Sequence, residues 1–318
     1  MKEYIKKLEK ELVGKQIKIN QSEELSKFLN ASREIANQEW LYHCTDKVAL
    51  INILKNKEFY LKNLVNVNDE EEVKAIDVDE YRNAFYVGCF SSEIIDSDEH
   101  REEYGKSEKS VIIAMKKDWF TRNAYFLKDG EVEWLDFDDT FRLFPNFRAV
   151  KEFQNNELKN GRYCYPYYID DFNFYGIIYD DNERKSVKCG FTTEVNGVEI
   201  KGDIFLPELA GIIKKKTGVS KRTGKVRNWS NEKEIRLKAC IHQEDHFLTG
   251  NENHDGAMFP ITIKQVVVTL DKNAFDTLYI YFPDSFVDKD GFIDELNIRF
   301  PDIKISIMNK SGVLQENS

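Results

Sequence analysis

Four short runs hold the residue types that could do chemistry. The richest is Trp229-Ser230-Asn231-Glu232-Lys233-Glu234-Ile235-Arg236, where two carboxylates and a guanidinium alternate. In an extended strand, side chains two residues apart share a face. Glu232, Glu234 and Arg236 are therefore expected side by side on a strand over 232–241. A carboxylate in that position can orient an attacking group or take its proton, and Arg236 can hold a carboxylate or a pyrophosphate. The same alternation also suits a solvated strand face with cross-strand ion pairs. The other runs are Tyr42-His43-Cys44-Thr45, Asn68-Asp69 with Glu72, and Cys89-Phe90-Ser91. Each has a plain structural use beside any chemical one. His43 can bond a backbone carbonyl, Asn68-Asp69 can cap a helix, and Tyr60 and Phe90 can be core rings.

A fifth feature is a charge reversal. No acidic residue occurs over 209–231, where Lys214, Lys215, Lys216, Lys221, Arg222, Lys225 and Arg227 accumulate and Trp229 closes the run. Such a basic loop, 214–227, attracts phosphates and is expected to engage a nucleic-acid or other phosphate-rich partner, or to be a solvated loop. Two further readings stay open. The protein is a non-catalytic nucleic-acid-binding module using that loop, or a Mg-dependent nuclease with Asp69, Glu72, Glu232 and Glu234 around the metal. No recognised nuclease spacing supports the latter, and no metal is expected. His242-Gln243-Glu244-Asp245-His246 misplaces the Glu of a zinc helix, even with Cys240 and His254 nearby. The Asp288–Asp294 run lacks the closing ligand of a calcium loop. No glycine-rich nucleotide fingerprint occurs.

In their order, the four runs resemble the pattern of a bacterial family known as domain of unknown function twenty-nine seventy-one: Y-H-x-T, N-D-x-x-E, C-F-S and W-x-x-E-x-E-x-R. The resemblance covers about 40–310 and departs at Cys44, where the family has an aromatic. The same residues resemble an ADP-ribosyltransferase, with its H-x-T strand and E-x-E carboxylates. That resemblance implies NAD as substrate and an ADP-ribosyltransferase-like fold. It further implies that Glu234 stabilises an oxocarbenium-like transition state while Glu232 orients or deprotonates the acceptor. His43 and Thr45 would bind NAD, with Tyr60, Phe90, Ser91 and Arg236 as further cofactor contacts. Asp69, Lys214, Lys215, Lys216, Arg222 and Trp229 would meet the acceptor. The setting it suggests is a bacterial toxin or phage-defence system.

The intervening sequence must position these runs. Residues 1–36 read as an N-terminal helical segment. Asp46 caps a helix over 48–55, and an acidic helix is expected after Asp69. Strands are expected at 40–45, 59–61, 85–91 and 111–115. The stretch 119–206 is rich in aromatics, with short strands near 162–168, 176–179 and 187–191 and a helix around 141–158. The end alternates strand 261–270, helix 271–278, strand 279–282, helix 284–298 and strand 303–308. These elements make one α+β, mixed-sheet domain over 37–310 with a βαβ-like C-terminal tail, followed by 311–318.

Composition bounds the class. In 318 residues, 56 acidic against 46 basic side chains leave a charge of -10, which argues against a protein that coats nucleic acid with its whole surface. Hydrophobic residues make up 41%, ample for a core in a chain this long. No apolar run approaches the roughly 20 residues that cross a bilayer, and Met1–Lys7 has no apolar signal core. No membrane role and a cytoplasmic location are expected. The five cysteines are scattered and read as buried free thiols rather than a disulfide framework.

Overall fold

Asp46 sets the first element boundary. Its carboxylate accepts hydrogen bonds from the N–H groups of Val48 and Ala49, both at 2.9 Å, and so starts helix α1 (Lys47–Asn56). The helix stops at Lys57, a left-handed residue whose N–H returns to the Ile53 carbonyl. Leu50, Ile53 and Leu54 are its buried face. The structure, a computed structural model, describes residues 29–69, 72, 83–104, 107–137, 158–159, 162–163, 167–179, 188–195, 198–205, 210–243 and 263–313.

Around α1 lie β1 (Trp40–Asp46), β2 (Glu58–Asn63) and β3 (Phe85–Ser91), then α2 (Asp98–Tyr104), β4 (Ser110–Lys116), β5 (Phe120–Lys128) and β6 (Glu131–Phe137). The central stretch holds β7 (Leu158–Lys159), β8 (Arg162–Tyr163), β9 (Tyr167–Gly176), β10 (Ile178–Tyr179), β11 (Lys188–Val195) and β12 (Val198–Phe205). After it come β13 (Ile213–Lys214), β14 (Thr217–Val219), β15 (Val226–Asn228), β16 (Glu234–Gln243) and β17 (Gln265–Leu270). The chain ends with β18 (Thr277–Tyr281), α3 (Lys289–Arg299) and β19 (Lys304–Ile307).

Strand pairing closes a ring in the order β3–β16–β9–β6–β5–β17–β2 and back to β3. Only the β6–β9 step of that ring is parallel. Period-2 alternation explains what fills it. Ile235, Leu237, Ala239 and Ile241 of β16 share a buried cluster with Tyr86 and Phe90, Phe59 and Leu61, Val266 and Val268, and Phe126. Phe90 is stacked on Phe59 at 5.1 Å and lies within 6 Å of Phe120 and Phe174. The intervening residues of β16, namely Glu234, Arg236, Lys238 and Cys240, point to the other face of the sheet. Cys240 joins a second cluster there with Phe85, Val87, Leu64 and Ala210.

A second set of strands hangs from this ring. β1 pairs with β4 along its whole length but meets β3 at one register position, Tyr42 opposite Ser91. β18 lies antiparallel to β4, and β19 returns parallel to β18 after α3, so the tail is a βαβ unit. The molecule is thus a mixed-sheet α+β domain. Beyond Tyr42 and Ser91, β1 and β3 part, and a cleft opens between them.

Several boundaries differ from the sequence reading. The helix expected over 271–278 is a run of turns, because the Asp271 carboxylate accepts from the Asn273 N–H and competes with helix formation. The last helix begins at Lys289 rather than 284, where Asp288 caps it by accepting from the Gly291 N–H at 3.2 Å. Residues 29–35 are helical, 36 is a turn, and Ser32 Oγ donates to the Gly176 carbonyl at 2.6 Å; residues 1–28 of the expected 1–36 helical segment lie outside the described residues. The helix around 141–158 and, apart from Glu72, the acidic helix after Asp69 also lie outside or almost outside them. No described helix is long and apolar enough to cross a membrane.

Candidate functional site

The approach to β16 is a tight turn. Asn228 caps a 3-10 helix over Trp229–Glu232 by accepting from the Ser230 N–H, and Lys233 takes a left-handed conformation with φ 44°. β16 therefore begins at Glu234, not at 232. This corrects the expected shared strand: Glu234 and Arg236 lie on one strand face, while Glu232 reaches them from the preceding turn. On that face Glu234 is opposite Ser91 and Arg236 opposite Cys89.

None of the three is on a solvated face. Glu232, Glu234 and Arg236 are buried, together with Glu72 and Lys214. Every N–H of the Arg236 guanidinium is used. Nε donates to Glu234 Oε1 at 2.7 Å, Nη2 to Glu234 Oε2 and Glu72 Oε2, and Nη1 to Glu72 Oε1 and the Gly211 carbonyl. Arg236 thus holds carboxylates, the first of the two uses its position allowed. Lys214 Nζ sits 3.2 Å from Glu234 Oε2 and 3.7 Å from Glu232 Oε2. Glu232 also accepts from the Tyr104 hydroxyl at 2.8 Å and from Arg227 Nη2 at 3.2 Å.

These surroundings separate the two carboxyls. Burial pushes Glu232 up to about 7, and the nearby Lys214 only partly offsets it. Burial acts on Glu234 in the same direction, but Arg236 and Lys214 outweigh it and hold that carboxyl at about 2. Glu234 is an ionised carboxylate at neutral pH, and Glu232 is poised to exchange a proton there.

The cleft between β1 and β3 has a volume of about 380 Å³ and is lined by His43, Tyr60, Ser91, Glu232 and Glu234 among others. His43 and Glu234 therefore share one cavity, with β3 between their strands. The His43 Nδ1 lies 3.0 Å from the Cys89 carbonyl, so Nδ1 carries the hydrogen and Nε2 is left as an acceptor. Burial lowers His43 to about 4 and keeps it neutral. Thr45 and Ser91 are buried cavity walls. Tyr60 is 39% exposed at the cavity, whereas Phe90 is committed mainly to the ring interior while also bordering the cleft.

The basic run is not one outward surface. Lys214 and Arg227 are buried and turn toward the carboxylates. Arg227 reaches Glu103 Oε2 at 3.1 Å, Ser220 Oγ donates to the same carboxylate, and Arg222 donates to the Glu103 backbone carbonyl. Lys225 pairs with Glu102 at 2.8 Å and Lys221 reaches the Val65 carbonyl. The β14–β15 hairpin is thus drawn down on α2 and on 65–69, where Asp69 bridges Ser220. Lys215, Lys216 and Arg222 are exposed, and Trp229 is fully buried with Lys214 4.2 Å above its ring.

Sequence reading missed four members of the site: Tyr104, Glu103, His100 and Lys62. His100 lines the cavity, is buried, and its Nδ1 has no hydrogen-bond partner; burial lowers it to about 4. The acidic run 98–103 was visible as charge, but nothing local marked it as the counterpart of the basic run. Among the described residues no His, Cys, Asp and Glu side chains are grouped to hold a metal ion. Lys214 and Arg236 occupy the space between the carboxylates.

No family model, no curated protein and no solved structure matches this chain.

Proposed function

We propose that the cleft cleaves an N-glycosidic bond, as in ADP-ribosyl transfer from NAD or NAD hydrolysis. The carrying observation is the buried pair of unlike carboxyls, Glu234 ionised and Glu232 near neutrality, in one cavity with a neutral His43. Breaking the bond between the ribose C1′ and the nicotinamide nitrogen sends the bonding pair to neutral nicotinamide and leaves positive charge on the sugar. A fixed carboxylate such as Glu234 stabilises that charge most where water is excluded. The oxygen of water or of an acceptor hydroxyl then bonds C1′, and its proton passes to Glu232, whose pKa near the working pH suits a base. His43 Nε2 and Thr45 bind the ribose or amide, and Tyr60 flanks the base. Lys214 and Arg236 hold the carboxylates in place rather than meeting pyrophosphate. The H-x-T and E-x-E pattern supports the same reading, including a role in a bacterial toxin or phage-defence system.

The test is NAD binding and nicotinamide release by wild type, His43→Ala and Glu234→Gln. Saturable binding lost in His43→Ala is expected, with release by Glu234→Gln slowed by a factor on the order of 10² to 10³. Absence of NAD binding at millimolar concentration, or full release by Glu234→Gln, overturns the proposal.

A further inference from the structure

The cations that line the cleft are not equivalent. Lys214 is bracketed by Glu232 and Glu234, and Arg236 by Glu72 and Glu234, so each is neutralised within the wall. Lys62 also lines the cleft, on β2, but is exposed and has no ion-pair or hydrogen-bond partner among the described residues. Tyr60 shares its strand face two residues earlier and is likewise exposed to the cavity. The wall is therefore polarised, with carboxylates around Glu234 and an uncommitted ammonium at Lys62.

Sheet register gives the separation. Lys62 is opposite Val87 and Glu234 opposite Ser91, with β3 between them. Four residues along β3 and two strand spacings across it put their backbones about 13 Å apart in one direction and about 10 Å in the other. Cross-strand partners share a face, and Val87 and Ser91 are on the same side of β3, so both side chains approach the cleft from one surface.

We infer that Lys62 is the anion-holding end of this cleft, so that its substrate is a phosphate-bearing nucleotide laid with phosphate on Lys62 and its anomeric carbon toward Glu234. A neutral glycoside has nothing to offer an unpaired ammonium. A nucleotide places its anionic group one sugar or more from the reacting carbon, as the register requires. Charge-assisted contact to phosphate is the strong kind of hydrogen bond. The inference rests on the glycosidic reading for the carboxylate end but not for the phosphate end.

The experiment titrates wild type, Lys62→Ala and Lys62→Arg with NAD, nicotinamide riboside and ADP. Nicotinamide riboside has the scissile bond without phosphate; ADP has phosphates without that bond. Lys62→Ala is expected to weaken NAD and ADP about tenfold and leave riboside affinity unchanged. Lys62→Arg is expected to restore most of the loss. Equal NAD and ADP affinity in wild type and Lys62→Ala, or no ADP binding by wild type, overturns the assignment. ADP binding that depends on Lys62, in a protein that neither cleaves NAD nor binds the riboside, sinks the glycosidic reading and leaves Lys62 as the phosphate contact.

Discussion

At the scale of single residues, burial raises Glu232 to about 7 and lowers His43 and His100 to about 4, with opposite consequences for stability. Glu232 binds its proton more tightly in the folded state. Its contribution is therefore full below the ordinary carboxylate range and is lost as pH rises through about 7. The histidines favour the neutral form, so theirs is present above the ordinary imidazole range and lost as pH falls through about 4. Glu234, held at about 2, makes its full contribution above the ordinary carboxylate range and loses it progressively as pH falls from that range through about 2. Replacing Glu232 with Gln should remove the neutral-to-alkaline loss. Between about pH 5 and 8, wild type should lose on the order of 2 kcal/mol that Glu232→Gln does not. Denaturant unfolding at both pH values measures this, and parallel losses in the two proteins would refute it. These carboxylates were legible as candidates from their spacing. Their burial and their unlike protonation were not, because both depend on Lys214, Arg227, Arg236 and Tyr104 arriving through space.

At the scale of elements, the β14–β15 hairpin decides whether the basic run faces outward or inward. Gly218 in β14 passes so close to Trp229 that a Cβ there would lie 2.5 Å from the indole Nε1. Trp229 in turn carries Lys214 and Arg227 over its ring at 4.2 and 5.2 Å. Gly218→Ala should force the hairpin away and cost about 1–3 kcal/mol, as overpacking of a close contact does. A thermal melt with an unchanged midpoint would show the contact to be unimportant. The basic composition of this run was visible in the sequence, but its destination was not. Cationic residues spread along a chain look alike until α2 brings Glu102 and Glu103 beneath them. Helix α1 is the contrasting case. Its cap, its buried stripe and its end are all local, and Asp46 was readable as the cap without any tertiary contact.

For the whole molecule, closure of the seven-strand ring places Glu234 beside Ser91, and the single register position shared by β1 and β3 leaves the cleft open. Phe90 belongs to both, since it stacks inside the ring and borders the cavity. Phe90→Ala should cost about 3–5 kcal/mol by leaving a hole among Phe59, Phe120 and Phe174. Equilibrium unfolding reads that loss; a change below about 1 kcal/mol would mean the ring interior repacks freely. The βαβ tail is borne by β4, not by the ring, so this variant should leave the β18–β19 pairing intact.

By itself the sequence determined what depends on neighbours along the chain: the alternation of β3 and β16, the Asp46 cap, the α+β class and the strand–helix–strand order of the tail. Period, capping and turn chemistry act over a few residues and are written locally. Only the tertiary structure decided that Glu232 reaches the site from a turn, that Glu72 and Glu234 share Arg236, that the basic run folds inward, and that Lys62 lines the cleft with no ion-pair partner among the described residues. These are matters of which charges meet and how much water stays between them. Residues far apart in sequence settle that only when the sheet closes.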